Sequence, residues 1–150
     1  MINFDYIDNF KDVPYFIEIK YSTINNAGLG VFAKQNIPKD FFLGNYVGKY
    51  MIIDNNNHNN HNYYMCSVQK YNKSMYFIDS SCLEFSNWTR FINCGLNKNM
   101  NNLRTINLIH KTDENQNGLL LFYSTRNIKK GEEIFFEYGE KFKKEFNILY

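Results

Sequence analysis

At 150 residues, 44% of them hydrophobic and 18% aromatic, the chain is one ordinary domain that can bury a core without disulfide or metal staples. A formal net charge of +2, with Lys and Arg spread along the chain, is too mild to argue for nucleic acid as a direct partner. Cys66, Cys82 and Cys94 form no close pair and fit neither a disulfide framework nor a zinc-ligand spacing, so reduced thiols in an intracellular protein are expected. No basic region precedes an apolar run at Met1–Asp5 and no window approaches a membrane span, so no targeting to a membrane or to secretion is expected.

In chain order, Met1 to Pro14 mixes Phe4, Tyr6, Ile7, Phe10 and Val13 with three aspartates, a pattern compatible with a short amphipathic turn of helix. From Tyr15 to Tyr21, Ile17, Ile19 and Tyr21 alternate with Phe16, Glu18 and Lys20 as in a half-buried strand. Thr23–Asn26 turns the chain into Gly28-Leu29-Gly30. Those glycines superficially fit a dinucleotide fingerprint, but Asn36 and Pro38 interrupt any helix that would have to follow. Two readings remain, a plain glycine turn or a loop whose backbone must approach a ligand closely. Val31–Lys34 and Phe41–Val47 read as strands joined at Pro38-Lys39-Asp40.

Residues 54 to 62 are a low-complexity Asn/His tract, read as a surface loop. His58 and His61 lie inside it without a third ligand, so no metal is expected. Tyr63–Val68 returns to order, with Tyr64, Cys66 and Val68 able to share a strand face, and Met75–Asp79 is another short strand. Glu84–Asn93 has room for one helical turn capped by Ser86 or Asn87. Leu103–His110 and Leu119–Ser124 read as a hairpin. Next, Gly131 closes a basic turn, and the β-favouring Ile134, Phe135 and Phe136 argue for a buried strand ending at Tyr138-Gly139. The Tyr138 hydroxyl either points into a cavity as a donor or is satisfied within the core. In the tail, Phe142, Phe146 and Tyr150 make one helical stripe, docked on the core or lying over a site as a lid.

Read together, Asn87-Trp-Thr-Arg-Phe-Ile-Asn-Cys94 and Gly131-Glu-Glu-Ile-Phe-Phe-Glu-Tyr-Gly139 resemble the signature of the SET-domain protein lysine methyltransferases, in the wording of the PR-domain subclass. Ala27–Ala33, Asn36–Asp40 and Tyr46–Gly48 are similar to the family's opening motifs and stand in the same order. The resemblance covers about Glu18 to Phe142, and the small size is similar to stand-alone SET proteins of large DNA viruses, some of which dimerise.

The resemblance implies a mainly β fold of the SET (β-clip) type: several short sheets, a knot-like C-terminal segment joining Asn87–Asn93 to Glu133–Gly139, and a short terminal helix. One domain would span 1–150, with its core at about 15–142. The implied activity is S-adenosylmethionine-dependent protein lysine methylation in the nucleus, or in a host nucleus or cytoplasm, with a histone tail as the commonest family substrate. Tyr138 would be the catalytic residue, and Tyr46 and Phe136 would line the lysine channel. Gly28, Leu29, Gly30, Tyr64, Arg90, Asn93, Cys94 and Tyr138 would bind the cofactor. Cys94-Gly95-Leu96-Asn97 stands where many SET domains have His-Ser-Cys-x-Pro-Asn, and no cysteine-rich zinc segment follows Gly139. The alternative implied by that departure is a catalytically silent, PR-like interaction module.

Overall fold

The computed structural model describes residues 12–53, 62–71, 74–97, 99–109, 118–139 and 143–144. Its strands are β1 (Ile17–Tyr21), β2 (Leu29–Ala33), β3 (Phe42–Tyr46), β4 (Lys49–Ile53), β5 (Met65–Tyr71), β6 (Ser74–Asp79), β7 (Leu103–Ile109), β8 (Gly118–Ser124) and β9 (Glu133–Ile134). They form three antiparallel sheets of three strands, ordered β1-β2-β9, β3-β8-β7 and β4-β6-β5. The architecture is the mainly β arrangement of short sheets that the motifs imply. The Asn/His tract with His58 and His61, and the aromatic stripe of the tail, lie outside the described residues; of that tail, 143 and 144 are helical.

The alternating pattern of the first strand is only partly kept. Ile17 is buried, but β1 is an edge strand and its end carries Tyr21 into solvent at 59% exposure. Leu29 and Gly30 belong to β2, so only Gly28, at φ 73°, is the turn residue of its motif. Tyr64 sits in the turn before β5 instead of on the strand face. β4 has no counterpart in the sequence reading: it follows Gly48, whose missing Cβ lets it press against the Asp79 backbone.

Two look-alike turns lock the C-terminal segment in place. Ile37 and Ile128 exchange backbone hydrogen bonds at 2.8 and 2.9 Å. Asn36 Oδ1 accepts from Lys130 N–H, and Asn127 Oδ1 from Lys39 N–H. Beyond this clamp the chain enters β9 and then bridges two partners in turn, Asn93 with Phe135 and Leu103 with Phe136. Asn102, fully buried, stands in for a missing strand: its amide donates to Glu133 O at 2.8 Å and accepts from Phe135 N–H at 2.9 Å. A buried amide satisfied on both sides is specific where an apolar residue would only fill space. The fully buried Val31, Ile78, Ile92, Phe122, Ile128 and Ile134 form the centre of the core beneath this crossing.

Candidate active site

The crossing brings together an aromatic wall. Phe136 packs on Tyr138 with ring centroids 4.7 Å apart and on Phe122 at 4.9 Å, and Tyr46 lies edge-on to Phe122 at 6.2 Å. Phe136 and Tyr138, two residues apart, therefore present their rings to one side, as their spacing requires. Both phenols donate to backbone: Tyr138 to Ile92 O and Tyr46 to Tyr64 O, each at 2.7 Å. Burial pushes both hydroxyls above the ordinary tyrosine range, and Tyr138 further opposes the ionisation of Tyr46. The Cys66 thiol behind Tyr46 is likewise pushed up to about 12 by burial, which outweighs its hydrogen bond with Tyr46. At neutral pH this wall is uncharged, and its phenols act as hydrogen-bond donors to the backbone.

Beside the wall is a polar cradle. Asn87 caps a 3-10 turn, Trp88–Phe91, accepting from Thr89 N–H at 3.2 Å, so of the two caps offered by the sequence, Ser86 and Asn87, it is Asn87 that serves. That turn projects Arg90 onto the Tyr64 ring, 4.3 Å from guanidinium carbon to centroid. Arg90 is 9% exposed and one amino group reaches Ser81 O at 3.3 Å, while Nε and Nη1 are buried without a hydrogen-bond partner. A buried cation left this way is costly unless an anion completes it. Three residues on, the Asn93 amide donates to Leu29 O at 2.9 Å, joining the end of the turn to the glycine motif.

Cys94 is buried next to Tyr138, and its thiol is raised by burial, with the Tyr138 backbone and Lys143 pulling the other way. Lys143, itself buried, pairs with Glu137 and fastens residue 143 at this end of the site. Burial works against the Glu137 charge, yet Lys143, Gly139 N–H and the Asn101 amide together hold its carboxyl below the usual range.

Of the residues singled out from the sequence, Tyr46, Phe136 and Tyr138 thus line one wall. Arg90 and Tyr64 stack, and Asn93 meets Leu29. Gly30 differs: a Cβ there would run into Oε1 of Glu133, so its close approach is to a protein carboxylate. Glu133, Phe122 and the Ile92 carbonyl were not legible as site groups. Glu133 stands 111 residues from Ser22, the partner that gives it meaning. Among the described residues no group of three or more His, Cys, Asp or Glu could hold a metal ion, and no helix is long and apolar enough to cross a membrane.

Comparison with known proteins places this geometry. The SET-domain family profile matches residues 28–139, from the glycine motif to the residue after Tyr138. The chain belongs to the SET-domain family. Among relatives of this SET domain, human histone-lysine N-methyltransferase EHMT1 is 30% identical over 117 residues; these make up 78% of the chain, which spans 9% of the length of EHMT1. The fold is shared with the methyltransferase domain of human PR domain-containing protein 2 at a TM-score of 0.67 and 23% identity, over 87% of this chain and 81% of that one. It is shared too with ATXR5, solved in complex with histone H3.1 mono-methylated on R26, at a TM-score of 0.67 and 21% identity over 83% and 57%. KRYPTONITE, in complex with mCHG DNA and SAH, aligns at a TM-score of 0.62 and 20% identity over 82% and 23%. The SET resemblance seen in the motifs is thus the family to which the chain belongs.

Proposed function

We propose that this SET domain, taken as one unit over the whole chain, is an S-adenosylmethionine-dependent protein lysine methyltransferase acting on a histone tail in the nucleus. The observation that carries the reading is Arg90: a nine-tenths buried guanidinium with two unpartnered nitrogens, stacked on Tyr64, is a cradle for an anion. The carboxylate at the amino-acid end of the cofactor fits that need, and Asn93 and the Gly28–Gly30 backbone would hold the same end. The names of the relatives point the same way, since EHMT1 acts on histone lysine, ATXR5 was solved with a histone H3.1 ligand and KRYPTONITE with SAH.

Bound S-adenosylmethionine supplies a methyl group already activated on a sulfonium, so the protein's work is to present a neutral amine in line with it. Proximity and orientation contribute on the order of 7 kcal/mol in well-aligned cases. The aromatic wall desolvates the incoming lysine, which lowers its pKa towards the neutral amine. Tyr138, held to Ile92 O, gives that amine a fixed ring face to lie against. Phe136 keeps the neighbouring space apolar, which supports di- and trimethylation.

The test is mass spectrometry of core histones incubated with the protein and cofactor. Added methyl masses on lysine are the expected result. No added methyl, together with no heat on titration with millimolar cofactor, would replace this reading by the silent interaction module.

A further inference from the structure

Glu133 is a buried carboxylate, 5% exposed, at the start of β9 opposite Phe32 of β2. Oε1 accepts from Ser22 Oγ at 2.7 Å and from the Asn93 amide at 3.5 Å. Oε2 accepts from Thr23 N–H at 2.7 Å and from Thr23 Oγ1 at 2.5 Å. Every one of these donors is neutral, so the carboxylate is solvated by dipoles and its charge is not cancelled by them.

Those partners are the two sides of the proposed cofactor cradle. Ser22 N–H donates to Gly28 O at 2.9 Å and Ser22 Oγ accepts from Ile24 N–H at 3.0 Å, so gripping Ser22 and Thr23 closes the turn that delivers Gly28 and Leu29. On the other side, the same Asn93 amide that reaches Glu133 holds Leu29 O. Gly30 leaves the space that the carboxylate needs between them.

We propose that Glu133 is the positioning residue of the cofactor cradle, and that its uncancelled charge also biases the cradle towards a cationic adenosyl ligand over a neutral one. S-adenosylmethionine carries a sulfonium charge that S-adenosylhomocysteine lacks, so a fixed anion behind the cradle favours the methyl donor over its product. This inference rests on the cofactor reading above and adds a property to it: discrimination against product by a residue that touches neither.

The test is calorimetric titration of the wild type, Glu133→Gln and Thr23→Val with each ligand. Glu133→Gln keeps the shape, removes the charge and exchanges one accepting oxygen for a donor, a loss both ligands share: S-adenosylmethionine is expected to weaken about tenfold and S-adenosylhomocysteine about twofold. A purely structural role would move both equally. Thr23→Val removes one donor at an exposed position and keeps the charge, so both ligands should weaken by a similar few-fold factor. Should Glu133→Gln fail to fold, Thr23→Val and Ser22→Ala still decide the positioning, and unchanged affinity in both overturns it. A folded Glu133→Gln that holds both ligands within twofold of wild type overturns the inference alone, and equal weakening of both overturns the charge bias. A wild type that binds neither ligand overturns the cofactor reading and this inference with it.

Discussion

The aromatic wall of Tyr46, Phe122, Phe136 and Tyr138 carries no charge and satisfies both of its hydroxyls on backbone carbonyls. The cradle one segment away holds a buried cation at Arg90 with unpartnered nitrogens and a buried carboxylate at Glu133 held by neutral donors. The wall is complete as it stands and the cradle is not. Under the proposed function the difference has a reason: a surface that strips water from a lysine works by being dry, whereas a surface that holds a zwitterionic ligand keeps charges that the ligand completes. Mutations in the two regions should therefore separate turnover from affinity.

The largest effect is expected from Tyr138→Phe. Losing the bond to Ile92 O frees the ring proposed to orient the amine, and a small misplacement of reacting groups can cost roughly a hundredfold in rate. Turnover should fall by about that factor while cofactor affinity, measured by calorimetry, stays within a few-fold. A parallel loss of affinity would break the division between wall and cradle.

Arg90→Met should do the reverse, with an effect on stability of opposite sign to its effect on binding. Removing a buried, incompletely paired cation relieves a cost of about 1–3 kcal/mol, so the unliganded protein should melt higher. Its cofactor affinity should drop tenfold or more. Scanning calorimetry with and without ligand reads both.

The wall was more legible than the cradle, for a physical reason. Period-two spacing puts Phe136 and Tyr138 on one side whatever the rest of the chain does, and β2, β3 and the β7–β8 hairpin follow from local pattern and turn residues in the same way. Asn87 as a cap is also local. Gly30 reads in the sequence as a plain turn or a ligand-approaching loop, because a sequence does not reveal what lies across a strand, and here that is the Glu133 carboxylate. β4 is not legible in the sequence because its pairing with β6 is set across the polar tract of residues 54 to 62, beyond the reach of local pattern. The reciprocal clamp of Asn36-Ile37 with Asn127-Ile128 was in plain view as two similar turns, yet only their meeting in space gives them a role.

Phe136→Tyr sharpens the comparison within the wall. A phenol there can hold a water where a methylated nitrogen would turn, so product should shift towards monomethyl-lysine with cofactor affinity little changed; peptide mass spectrometry decides. A wild type that stops at one methyl under long incubation would count against an apolar pocket.

The smallest effect concerns chemistry instead of turnover. With its thiol pushed up to about 12 by burial, Cys66 is almost wholly protonated at pH 8, so alkylation should be far slower in the folded protein than after denaturation. Rates should rise with pH well above the ordinary thiol range. Mass mapping of iodoacetamide labelling that found Cys66 as fast as an unfolded cysteine would mean that the wall is open to water.

Calorimetric titration of the wild type with S-adenosylmethionine tests the central claim most directly. One ligand per chain, with a rise in melting temperature that Arg90→Met diminishes, is the predicted result. Absence of heat and of any thermal shift at millimolar cofactor would contradict it.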